Sequence, residues 1–128
     1  MILVDSSYII ALINDRDKNH NRAKELFEDI SKEKKLIPLL MLSEAVTTVN
    51  SRKGSELSKL LFEVLCDDFK VYYPNQEEIS KSMDCVIKYK SLSLADCFAV
   101  YLMRKLNITR IYSFDSDFDK VDGIVRVF

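Results

Sequence analysis

Ile2-Leu3-Val4-Asp5-Ser6-Ser7-Tyr8-Ile9-Ile10-Ala11-Leu12-Ile13 passes from a short apolar run, through one acid and two hydroxyl residues, into a second apolar run. Met1 to Val4 reads as a short buried strand. Asp5-Ser6-Ser7 has the chemistry to cap a helix over Tyr8 to Ile13, because short oxygen-bearing side chains satisfy the free amides of a first turn. A strand feeding directly into a helix is the repeating unit of a parallel α/β sheet. In such sheets function gathers beyond the carboxyl ends of the strands, which is where Asp5 stands.

The same alternation continues outward. Asn14-Asp15-Arg16-Asp17 breaks the first helix, and Ala23, Leu26, Phe27 and Ile30 then recur at helical spacing. A second strand is expected over Leu36 to Leu40, with Pro38 marking an edge or terminal position. Helices follow over Ser43 to Ser51 and Glu56 to Cys66, divided near Gly54. Phe69 to Tyr73 is the third strand, stopped by Pro74. Gln76 to Tyr89 is a helix with Ile79, Met83, Val86 and Ile87 on one face. Leu94 to Leu106 is the most apolar helix, which Asn107 can end in a left-handed turn. Arg110 to Phe114 and Ile124 to Phe128 complete the strands. The pattern predicts one α/β domain over residues 1–128, with a mainly parallel sheet of four or five strands covered on both faces and no internal repeat or linker.

Composition agrees. A chain of 128 residues with 48% hydrophobic and 30% charged residues is long enough for a real core. No apolar run approaches the ~20 residues of a membrane span, and the N-terminus lacks the basic region of a secretory signal. Cys66, Cys85 and Cys97 form no CxxC pair, which argues against structural zinc and for reduced, mostly buried thiols in the cytoplasm. Nineteen basic residues against twenty acidic ones, net −1, differ from the basic balance usual in non-specific nucleic-acid binders. Arg52-Lys53 and Arg104-Lys105 are the basic pairs available for binding, and each also reads as a solvated helix end.

Asp5, Glu44, Asp96 and Asp115, with Asp117 beside the last, carry the functional signal. Each has a structural explanation. Asp5 can be an N-cap, and Glu44 a first-turn acid favoured by the helix dipole. Asp96 can close a capping box with Ser93, and Asp115, Asp117 and Asp119 can form an Asx-rich turn. Jointly they say more, because a parallel topology can bring all these places to one rim. Packed carboxylates repel and take up protons unless a cation compensates them. A hard ion such as Mg²⁺ accepts carboxylate and water ligands.

Rival chemistries fare worse. Asp115-x-Asp117-x-Asp119 resembles an EF-hand start, but Lys120 replaces the turn glycine and Arg126 the bidentate acid. With Gly54 and Gly123 as its only glycines, the chain has no phosphate-cradling loop. The lone His20 excludes a two-histidine nuclease and reads as a packing or capping residue. Nothing pairs it with a cysteine nucleophile. A phosphoacceptor receiver domain lacks its acidic pair beside the first strand.

The ordered stretches Ile2-Leu3-Val4-Asp5-Ser6-Ser7, Ser43-Glu44, Leu94-Ala95-Asp96 and Ser113-Phe114-Asp115-Ser116-Asp117-Phe118 resemble the PIN-domain nucleases. The likeness covers essentially the whole chain, and the form looks most like the VapC-type ribonuclease toxins of VapBC toxin–antitoxin systems. The resemblance implies a three-layer α/β/α fold and Mg²⁺- or Mn²⁺-dependent cleavage of RNA. It carries the family's acidic positions onto Asp5, Glu44, Asp96 and Asp115, with Asp117 as an auxiliary ligand. Ser6 and Ser113 match its supporting hydroxyls, Ser113 standing where threonine is usual. It also implies a small antitoxin partner and a homodimer. Within or beside the family, an RNA-processing nuclease and a non-catalytic RNA- or protein-binding module are the alternatives.

Overall fold

In the computed structural model, which describes residues 1–128, five parallel strands lie in the order β3-β2-β1-β4-β5. They are β1 (Ile2–Val4), β2 (Lys35–Pro38), β3 (Lys70–Tyr72), β4 (Arg110–Tyr112) and β5 (Val125–Val127). Between them run α1 (Ser6–Ile13), α2 (His20–Ser31), α3 (Leu39–Lys53), α4 (Ser55–Asp68), α5 (Gln76–Lys88) and α6 (Leu94–Lys105). A 3₁₀ turn, Ser116–Lys120, follows β4.

Right-handed crossovers dictate the layers. The chain steps from β1 to β2 to β3 in one direction, which puts α1 to α4 on one face. It then returns past β1 to β4, which puts α5 and α6 on the other. The packing follows that division: α1 meets α2 and α3, α3 meets α4, and α5 meets α6. This is the expected α/β/α sandwich. Because both faces are covered, the inner strands are continuous apolar runs rather than alternating ones. Ile2, Leu3, Val4, Leu36, Ile37 and Ile111 are all fully buried.

The reversal of direction between β1 and β4 is the topological switch point. There the two strands pair, Leu3 with Ile111 and Val4 with Tyr112. The Asp5 amide extends the ladder to the Tyr112 carbonyl at 3.0 Å. The carboxyl ends of these two strands form the crevice that open α/β sheets use for ligands.

Several local expectations are corrected. The second strand ends at Pro38 rather than Leu40, and α3 begins at Leu39, four residues before Ser43. A continuous apolar run such as Leu36 to Leu42 does not distinguish buried strand from buried helix. Proline supplies the boundary, since it donates no ladder hydrogen bond, and its place in β2 is terminal within an inner strand. Glu44 therefore lies in the second turn of α3, away from its N-terminus. On α5, Ile79 and Val86 pack against the core, but Met83 and Ile87 are exposed. That helix buries Glu78 and Ser82 instead. Glu78 accepts hydrogen bonds from Tyr72 Oη at 2.7 Å and from Lys105 Nζ at 3.0 Å, tying α5 to β3 and α6.

Phe27 is half exposed on α2 rather than in the core. Of the cysteines, Cys97 alone is buried, Cys85 is half-buried and Cys66 is exposed. Burial, aided by the neighbouring Cys85, pushes the Cys97 thiol up to about 12. Asn107 takes the left-handed conformation expected of it, with φ of 55°. No helix is long and apolar enough to cross a membrane.

Candidate functional site

Asp5 leaves the end of β1 as the N-cap residue of α1, but its carboxylate does not cap the helix. It turns instead into the crevice beside β4 and collects hydroxyl donors. Ser7 Oγ and Ser113 Oγ both donate to Oδ2 at 2.6 Å, and Ser6 Oγ donates to Oδ1 at 3.3 Å. The two shorter donors are themselves fixed by backbone amides. Phe114 N–H donates to Ser7 Oγ at 3.0 Å, and Asp115 N–H donates to Ser113 Oγ at 3.0 Å. The turn after β4 thus polarises both hydroxyls towards one carboxylate oxygen.

Only 3% of the Asp5 surface is exposed. Burial raises its pKa first of all, and the negative charge of Asp115 adds to that, while the three serine hydroxyls pull it back down. Asp96 is raised to about 6, again chiefly by burial, then by the charges of Asp5 and Asp115. Glu44 is an exposed residue on α3, yet its carboxyl end reaches the same rim. Partial desolvation, then Asp5 and Asp115, raise it, and the Ser6 hydroxyl opposes them. Asp5, Glu44, Asp96 and Asp115 therefore share one electrostatic field. No three of them close into a ready-made cage around a single point.

The acids brought to this rim keep structural duties as well. Asp96 closes a complete capping box: its carboxylate accepts from Ser93 N–H at 3.0 Å, and its amide donates to Ser93 Oγ at 3.1 Å. Asp115 caps the 3₁₀ turn by accepting from Asp117 N–H at 2.9 Å. Asp117 stands apart. Its carboxylate pairs with Lys120 at 3.0 Å. Asp119 is further out, held by Arg126 at 2.9 Å.

Ser7 is the functional candidate that sequence reading passed over as a helix cap. The signal was present in its spacing, since two consecutive serines after a strand-end acid offer one hydroxyl to each side of it. His20 contributes nothing here, as its Nδ1 lies 2.8 Å from the Ala11 carbonyl oxygen. The donor set is thus carboxylate and hydroxyl oxygen throughout. That chemistry suits a hard divalent cation and disfavours a soft one. Buried, mutually repelling carboxylates with raised pKa values are what such an ion would relieve.

A parallel sheet with Asp5 buried at its switch point, and with Glu44, Asp96 and Asp115 in the same electrostatic field, defines a class: α/β proteins with an acidic, oxygen-lined rim. Comparison with known sequences makes the class specific. The chain belongs to the PIN domain family, whose model matches residues 2–124. Among characterised relatives it is similar to ribonuclease VapC13 of Mycobacterium tuberculosis, 26% identical over 130 residues and covering 99% of each chain. A VapC ribonuclease of Mycobacterium bovis matches to the same extent.

Among solved structures, it is similar to M. tuberculosis VapC20, described as a sarcin–ricin-loop-cleaving toxin. That match has a TM-score of 0.89 and 25% identity, over 99% of this chain and 98% of the other. A toxin–antitoxin complex from Klebsiella pneumoniae shares the fold, with a TM-score of 0.73 at 18% identity over 98% and 96% of the two chains.

Proposed function

We propose that residues 1–128 form a single-domain, divalent-metal-dependent endoribonuclease that acts as the toxin of a toxin–antitoxin pair in the cytoplasm. The observation that carries this reading is the Asp5 carboxylate, buried at the switch point, held by three serine hydroxyls and within the electrostatic field of Glu44, Asp96 and Asp115. A purely structural acid needs no such surroundings. The ribonuclease names of the relatives and the toxin–antitoxin neighbours support the substrate and the setting.

Asp5, Asp96 and Asp115 would hold Mg²⁺ or Mn²⁺, with Glu44 completing the set and Asp117 joining on release from Lys120. The bound ion supplies an acidified water and charge neutralisation at the scissile phosphate. The chain's own task is to keep the carboxylates ionised and aimed. Ser7 and Ser113 stabilise the charged form of Asp5, since hydrogen bonds to a carboxylate favour its ionisation. The capping box fixes the Asp96 carboxyl at the start of α6, and the Asx turn fixes Asp115. No side-chain nucleophile is required, in keeping with a crevice that lacks histidine.

An apolar groove of about 330 Å³ lies between α1, α2 and α4, bordered by Phe27, Leu61, Val64 and Phe69. We take it as the seat of an antitoxin's apolar segment, with an arginine from the same partner pairing with the acids. The exposed Leu60 and Phe62 of α4 favour the homodimer that the family resemblance implies.

The test is cleavage of single-stranded or looped RNA by the purified chain in Mg²⁺ or Mn²⁺, compared with Asp96→Asn. Wild-type cleavage that EDTA abolishes and Asp96→Asn lacks is the expected result. Undiminished metal-dependent cleavage by Asp96→Asn overturns the site assignment, and no wild-type cleavage with either ion overturns the enzymatic reading.

A further inference from the structure

On the face of the sheet away from the apolar groove, α5 and α6 run antiparallel and leave a cleft of about 350 Å³. Its walls carry Lys81, Lys88, Arg104 and Lys105, and the rings of Tyr89 and Tyr101 lie between them; Asp84 is the one acid in the lining. Two of the cations are answered from outside the cleft: Lys81 by Glu77 at 3.2 Å and Lys105 by the buried Glu78 at 3.0 Å. Lys88 and Arg104 are exposed and meet no carboxylate. Lys88 Nζ sits over the Tyr89 ring, 5.1 Å from its centre.

The cleft reaches the start of α6, one residue from Asp96, through Cys97. The end of α5 that carries Lys88 lies beside the start of α6, where Asp96 stands, and Cys97 lines the cleft itself. At that end the α5–α6 turn is pinned to the rim, because Lys120 Nζ bridges Ser91 Oγ and Asp117 Oδ1, each at 3.0 Å. From Asp96, α6 rises about 12 Å over two turns to Arg104. A polyanion entering a crevice of four acids needs cations close by. A chain of net charge −1 must supply them as a local stripe rather than as overall charge.

We propose that the α5–α6 cleft is the track for single-stranded RNA flanking the scissile phosphate, with Lys88 and Arg104 contacting backbone phosphates and Tyr89 and Tyr101 offering ring faces to unstacked bases. This rests on the ribonuclease reading and deepens it by naming where the strand leaves the crevice. Cations spaced along a groove with aromatic rings between them are how proteins hold single strands without reading their sequence. The arrangement therefore predicts affinity with little base preference.

The test is fluorescence anisotropy of the full chain in EDTA with RNA oligonucleotides of about 12 nucleotides, within the site sizes of such grooves, over a salt series. Lys88→Ala/Arg104→Ala is expected to weaken binding of oligonucleotides of different sequence to the same degree. It should also flatten the dependence of log K on log salt by about 1.4, at about 0.7 for each phosphate that is no longer neutralised. Lys18→Ala/Lys24→Ala, a matched charge removal on the other side of the chain, should leave that slope unchanged.

An unchanged slope for the first variant, or equal flattening by the second, overturns the proposal. Competition by polyglutamate as effective as by unlabelled RNA also overturns it, since the cleft would then take acidic chains in general. If the wild type cuts RNA and the slope does not respond, the track alone is wrong. If it neither binds nor cuts RNA, the ribonuclease reading falls with it.

Discussion

Ser113 Oγ donates a 2.6 Å hydrogen bond to Asp5 Oδ2, joining residues 108 positions apart across the β1–β4 junction. Ser7 Oγ donates to the same oxygen, and the two hydroxyl oxygens lie 3.2 Å from each other. Each hydroxyl has one proton, so with Asp5 ionised both are spent on the carboxylate. Were Asp5 protonated, one hydroxyl would turn to the other. The two hydroxyls therefore favour the charged acid, against the burial that raises its pKa overall. Ser113→Ala should cost about 1.5–3 kcal/mol, the range for hydrogen bonds to charged groups, and should slow RNA cleavage. Ser7→Ala and Ser113→Ala should combine non-additively because they share one acceptor. Denaturant midpoints and cleavage rates of the two single variants and the double variant measure this.

Asp96 gives a pH dependence of definite sign. Its carboxyl is raised from 3.8 to about 6 in the folded protein. Between those values the folded chain binds more protons than the unfolded one, so stability falls as pH rises through that window. Asp5 and Glu44 are raised as well and act in the same sense. Without divalent ions, thermal melts should show lower stability at pH 7 than near pH 5. Mg²⁺ or Mn²⁺ should raise the melting temperature more at pH 7, and Asp96→Asn should shrink the pH effect while keeping the cap.

Glu78 has the opposite sign. Tyr72 foremost, then the Asn75 amide and Lys105, hold its carboxyl below the usual 4.5. It contributes stability above that pH and loses it as pH falls through the lowered value. Glu78→Gln, which can still accept from the Asn75 amide, should destabilise the protein at pH 7. The difference from wild type should narrow below about pH 4.5, the ordinary value for glutamate. Chemical denaturation at both pH values checks it.

Phe27 is 51% exposed at the apolar groove, so Phe27→Asp should change stability by no more than about 0.5 kcal/mol. RNA cleavage by this variant should match wild type, while inhibition by the cognate antitoxin should weaken. Retained inhibition with full affinity would remove the groove from the partner's footprint.

Much of the architecture was readable because parallel sheets write themselves as apolar runs separated by helices, and β1 and its acid show this in a dozen residues. The places where reading and structure part have local causes. Leu39 to Leu42 is apolar enough for strand or helix, and only the proline before it settles the matter. Met83 and Ile87 have the spacing of a buried face, but the Tyr72–Glu78–Lys105 network turns α5 so that Glu78 is inside, and no periodicity encodes a contact with residues on two other elements. At the site, the acids at strand and helix ends were visible. What could not be seen was which were free. Asp117 reads in sequence as an auxiliary to Asp115, and only the structure shows that Lys120 holds it. Ser7 was hidden by its own plausibility as a cap.

The capping box of α6 carries a mutational consequence. Most replacements at position 96 remove an acid from the crevice and also half of the capping box, at a cost of about 1 kcal/mol, so they lower abundance as well as chemistry. Asparagine keeps the acceptor for the Ser93 amide and discards only the charge. A screen for inactive but abundant protein should therefore enrich the uncharged amides Asp96→Asn and Asp96→Gln, which can still accept from the Ser93 amide. The same screen at Asp5, whose side chain starts no helix but is buried among three hydroxyls, should return only small substitutions.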